Sequence, residues 1–148
     1  MSTGLERIGS DSELQSHWIK RIIAVVIDAV LLAVVVSVIL FPVGIMAAFG
    51  FLGSWYYAFV FPFFVGVLCI LYFSFMESSY GGTVGKKIMN LKVTTADGDQ
   101  ASMDKAFIRN LSKIFWLLLI IDVFLGLATP GDPRQKYTDR IAGTTVVP

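Results

Sequence analysis

Cysteine and histidine are almost absent, with Cys69 and His17 the only ones. One thiol inside an apolar run excludes an internal disulfide and any multi-cysteine metal site. One histidine, beside Trp18 at the edge of the first apolar run, leaves no Ser/His/Asp or Cys/His set to assemble. Neither an enzyme nor a metal or cofactor site is therefore expected. Charge is scarce too. Charged residues make up 16% of the chain, against about 25% in ordinary soluble domains, while 55% is hydrophobic and mean hydropathy reaches +0.72. A net charge of +1 argues against nucleic acid as a partner.

What is present instead is long apolar sequence. From Ile22 to Met76 the one formal charge is Asp28. These features predict an all-α integral membrane fold with the lipid bilayer as its solvent and first partner. Residues 1–16 are polar and read as a mobile tail, and residues 17–147 form the membrane domain. Its membrane segments are predicted at about 22–41, 55–75 and 114–128. Trp18, Lys20 and Arg21 anchor the first at the interface. Pro42, Gly44, Gly50, Gly53 and Ser54 mark residues 42–54 as a connection, and Pro62 is expected to kink the second segment.

Lys86, Lys87, Lys92, Lys105, Arg109 and Lys113 lie between Glu77 and Lys113, whereas the first connection has no Lys or Arg. The positive-inside bias places that loop and the N-terminus in the cytoplasm. Leu91–Thr95 alternates and ends at Asp97-Gly98, which predicts a strand and a turn. A helix should begin near Ser102, amphipathic first and apolar later. Its apolar part covers only about 22 Å, short for a bilayer core of about 30 Å. A full crossing would leave Arg134, Lys136 and Arg140 outside. A re-entrant third segment would return the tail to the cytoplasm and let Gly143–Val147 pair with Leu91–Thr95 as a small two-stranded β-element. Both topologies stand at this point.

Placing a carboxylate in hydrocarbon costs at least about 2.5–3.5 kcal/mol, which singles out Asp28 and Asp122. Arg21 and Asp28, two helical turns apart, share a face but lie about 10 Å apart along the axis, so they form a polar stripe rather than a contact. Asp28 either fixes helix packing or takes part in ion or proton movement, and Asp122 could share a cation or proton with it. Gly81, Gly82, Thr83, Gly85 and Lys86 belong to a loop similar in outline to the phosphate-binding pattern G-x-x-x-x-G-K-S/T. Tyr80 replaces the first glycine and Lys87 the Ser/Thr, and no strand precedes it, so nucleotide is not expected. The glycines read as a sharp exit from the second helix, with Lys86 and Lys87 on anionic headgroups.

Arg21 with Asp28, the Gly81–Lys87 loop, Leu91-Lys92-Val93 before Asp97-Gly98, Arg109-Asn110-Leu111 and the run from Asp139 to Val147 together resemble the RDD family of small prokaryotic membrane proteins over residues 14–147. The family is named for one arginine and two aspartates. Arg21 and Asp28 match the first two, and Asp139, or else Asp122, the third. The resemblance implies a multi-pass plasma-membrane protein and leans toward transport, with sodium/proton exchange suggested for some members. Three thin helices cannot enclose an aqueous path, so a transporter would need a homo-oligomer or a partner membrane protein. The competing function is a non-transporting scaffold or accessory subunit.

Overall fold

The computed structural model describes residues 4–50, 53 and 55–148. Helix α1 (Gly4–Ile8) precedes α2 (Ser12–Ala48). Asp11 caps α2 by accepting from the backbone N–H groups of Glu13 and Leu14, both at 3.0 Å, donors that would otherwise be orphaned. Leu14 is buried against Trp18 and Leu127. Residues 4–8 and 12–16 are thus helical, which corrects the expectation of a mobile tail. An efficient cap and one apolar anchor suffice to order a polar segment.

α2 continues through Pro42 to Ala48, where a connection was expected from residue 42. The side chains around this stretch are apolar and offer the backbone no hydrogen-bond partners, so continuing the helix past a proline leaves fewer groups unpaired than ending it. Residues 51, 52 and 54 of that connection lie outside the described residues. A π-helical turn at Tyr56–Val60 leads into α3 (Phe61–Tyr80). Pro62 is the second residue of α3 and follows directly on that π-helical turn, in which the Phe61 N–H bonds back to the Tyr56 carbonyl, so the helical path is distorted just before the proline. Gly81 ends α3 in the left-handed region, φ +72°, with its N–H on the Glu77 carbonyl at 3.1 Å.

Helix α4 (Val84–Ile88) and strand β1 (Lys92–Thr95) follow. α5 (Met103–Asn110) starts after Ser102 as expected, although the Ser102 hydroxyl makes no capping bond. A 3-10 turn, Leu111–Ile114, leads to α6 (Trp116–Ala128), and then come α7 (Tyr137–Ile141) and β2 (Thr144–Val147). α5 and its turn run antiparallel to α3: Ser74 Oγ donates to the Ala106 carbonyl at 3.4 Å, and Gly66 lies so close to Ile114 that a Cβ would stand 2.3 Å from its carbonyl oxygen. The chain then bends by 115° and α6 leads back until Leu127 packs on Leu14. The third segment is therefore two helices rather than one.

β1 and β2 pair antiparallel, with Lys92 opposite Val147 and Thr95 opposite Thr144, the pairing expected of a returning tail. This pairing ties the C-terminal strand to the basic loop that follows α3. α2 and α3 are each long and apolar enough to cross a membrane, whereas α6 alone covers about 20 Å. Val30, Val34 and Val38 leave one face of α2 more than 60% exposed, an apolar stripe suited to lipid. Ala24, Leu91, Val93, Ala101 and Val146 form a core between α2 and the β-element.

Candidate functional site

The end of the bundle where both tails meet holds a buried charged layer. Asp28 is 0% exposed and accepts from Thr83 Oγ1 at 2.5 Å, the Gly85 backbone N–H at 2.8 Å and Tyr72 Oη at 3.1 Å. Two of these donors come from the glycine-rich loop. Gly85 presses on the preceding turn of α2, where a Cβ would sit 2.0 Å from the Ala24 carbonyl oxygen. The loop thus seats its backbone on Ala24 and its polar groups on Asp28, neighbours on one helical face. Thr83 serves twice, capping α4 through the Lys86 N–H and donating to Asp28.

Lys86 turns inward, 4% exposed, onto the Glu77 carboxylate. Burial lowers its ammonium to about 8, an effect Glu77 only partly offsets. Lys87 is exposed and stands 4.6 Å over the Tyr80 ring. The expected placement of both lysines on headgroups is corrected for Lys86, because Glu77 at the end of α3 offers a buried counter-charge. Glu77 also accepts from Asn110 Nδ2 at 2.8 Å and lies 3.3 Å from Arg109 Nε.

Arg109 reaches Asp139 at 3.1 Å, and Asp139 in turn receives Arg21 Nη2 at 2.8 Å. Burial alone would raise the Asp139 carboxyl, but Arg109, Arg21 and Lys136 hold it well below the usual carboxylate range. Arg21 also donates to the Arg134 carbonyl at 2.7 Å and covers the Trp18 ring at 4.8 Å. It meets Asp139, not Asp28. Asp122 belongs to another branch, accepting from Lys136 Nζ at 2.5 Å, the Thr138 N–H at 2.6 Å and Ser112 Oγ at 2.7 Å. Burial pulls the Lys136 ammonium down, against Asp139 and Asp122. Asp28 and Asp122 share no hydrogen-bond partner among the described residues.

The RDD family profile matches residues 16–143, a span that contains the whole charged layer. The chain belongs to the RDD family. Neither the comparison with curated proteins nor that with solved structures gives a match. In this RDD protein Arg21 and Asp139 join α2 to α7, while Asp28 holds the glycine-rich loop. Sequence inspection missed Glu77, Asn110 and Lys136 as members of the layer. Glu77 carried a usable signal, being the one carboxylate at the end of an apolar run and just before Gly81-Gly82. Lys136 carried none, since a lysine in a polar segment is ordinarily solvated.

Proposed function

We propose that this RDD protein is a non-transporting membrane scaffold or accessory subunit rather than a sodium/proton exchanger, and not an enzyme. The observation that carries the proposal is the occupancy of the two intramembrane carboxylates. Asp28 is filled by donors from Thr83, Gly85 and Tyr72, and Asp122 by Lys136, Thr138 and Ser112. A carboxylate that carries a cation or proton must exchange its partners during the cycle, and three convergent donors oppose that. Residues so paired hold helices in register, with the exposed apolar faces of α2 and α6 left for lipid, a second copy or a partner membrane protein. The setting proposed is the plasma membrane, with both termini and the basic loop in the cytoplasm.

Liposomes containing the protein, loaded with pH and sodium indicators, should give traces equal to empty liposomes. Asp28→Asn should lower unfolding stability by about 1–3 kcal/mol, since an amide cannot accept all three bonds, and leave the traces unchanged. Flux by the wild type that vanishes in a folded Asp28→Asn variant would establish transport instead.

The orientation has its own test. Asp97→Cys in a Cys69→Ala background should resist an impermeant thiol reagent in right-side-out vesicles and react after permeabilisation. Ready labelling of intact vesicles would reverse the topology.

A further inference from the structure

We propose that the charged layer and the groove beside it bind one anionic phospholipid, its phosphate among the basic side chains and an acyl chain along α2. A cavity of about 170 Å³ is lined by Arg21, Lys86, Arg109, Lys113 and Lys136 together with apolar side chains, and no acidic residue lines it. Glu77, Asp122 and Asp139 neutralise these cations from outside the cavity and cannot match all of them. Arg109 is 1% exposed, and its Nη1 has no hydrogen-bond partner among the described residues. A buried guanidinium N–H lining a cationic cavity calls for an acceptor, and a phosphate oxygen suits it in both charge and geometry.

The ligand must also be amphiphilic. Val25, Lys113 and Leu119 line this cavity and also a larger apolar groove of about 450 Å³. The groove follows Val25, Ala29, Leu32, Ala33 and Val36 on one side of α2, and Val65, Cys69 and Phe73 on α3. From Val25 to Val36 the wall runs about 16 Å, close to one leaflet of a core about 30 Å thick. A free anion would leave that groove unused, and a zwitterionic lipid would bring an ammonium toward five basic side chains, Arg21 and Arg109 among them. Basic pockets between membrane helices are a known mode of headgroup recognition.

The full chain, purified in detergent, should be titrated with phosphatidylglycerol and with phosphatidylcholine of the same acyl chains. Native mass spectrometry and thermal unfolding then follow binding. One phosphatidylglycerol per chain should be retained in preference to phosphatidylcholine, and it should raise the unfolding temperature. Lys113→Gln removes the basic side chain common to both cavities and should weaken binding about tenfold or more. Ala33→Trp fills the groove from an exposed position without touching an ion pair and should do the same, which keeps the test decisive if Lys113→Gln does not fold. Lys87→Gln, outside the cavity, should bind like the wild type. Equal retention of the two lipids, or unchanged binding in both cavity variants, would overturn the site. Inorganic phosphate that binds and stabilises wild type and Ala33→Trp alike, without lipid selectivity, would make the ligand a free anion and overturn the lipid. Self-association that Ala33→Trp abolishes, with no lipid retained, would assign the groove to a second copy.

Discussion

Asp139→Ala is expected to produce one of the two largest losses of stability among single substitutions, about 3–5 kcal/mol. Asp139 is fully buried and joins Arg21 at 2.8 Å to Arg109 at 3.1 Å. Its removal leaves the Arg21 guanidinium without a carboxylate and Arg109 with Glu77 alone, with little water to take the place of the lost partner. Replacing a pair together should be milder: Arg21→Met with Asp139→Leu should lose less than the sum of the single changes, because neither charge is then left alone. The pH dependence follows from the lowered carboxyl. An unfolded Asp139 titrates near 3.8 and the folded one lower, so the folded state binds fewer protons in that window. Its contribution is complete above about pH 4 and is lost as the pH falls through the folded value. Unfolding followed by near-ultraviolet circular dichroism in detergent from pH 7 downward should therefore show an acid-side decline that Asp139→Ala flattens. Equal stability of variant and wild type would remove Asp139 from the charged layer.

Gly85→Val is expected to cost a comparable amount, more than about 3 kcal/mol. Overpacking a core ordinarily costs about 1–3 kcal/mol, but here the obstruction is backbone, the Ala24 carbonyl oxygen lying 2.0 Å from where a Cβ would stand. The loop would have to lift from α2. Lifting it separates Asp28 from the Gly85 N–H and the Thr83 hydroxyl together, leaving a buried carboxylate with only Tyr72. Gly44→Ala is the control, since nothing lies within 4 Å of that position and alanine should favour the helix by about 0.5–1 kcal/mol. Gly85→Val with an unchanged unfolding temperature would mean that the loop does not seat on α2.

Much of the fold was legible in the sequence. The apolar runs located α2 and α3, the alternation at Leu91–Thr95 anticipated a strand that Gly143–Val147 could pair with, and Ser102 marked the start of α5. Errors gathered at the ends of elements. Pro42 was read as ending the first helix, yet α2 runs through it to Ala48, while Pro62 follows directly on a π-helical turn. The single third helix failed for another reason. Hydropathy from Lys113 to Ala128 is continuous, and nothing in it announces a bend of 115°. At that bend Ile114 lies against Gly66 of α3, a contact between residues far apart in the chain.

The sequence by itself determined that the protein has helices long and apolar enough to cross a membrane, that few carboxylates accompany them, and that a glycine-rich loop follows the second long one. These are local properties, set by side-chain transfer free energies and backbone freedom. Only the tertiary structure decided which charge meets which. Asp28, two turns from Arg21, instead receives the loop, while Arg21 pairs with Asp139, 118 positions away. A buried ion finds its partner by direction and distance in the packed state. A sequence supplies the charges, but it cannot rank their pairings until chain reversal has brought them within a few ångströms of one another.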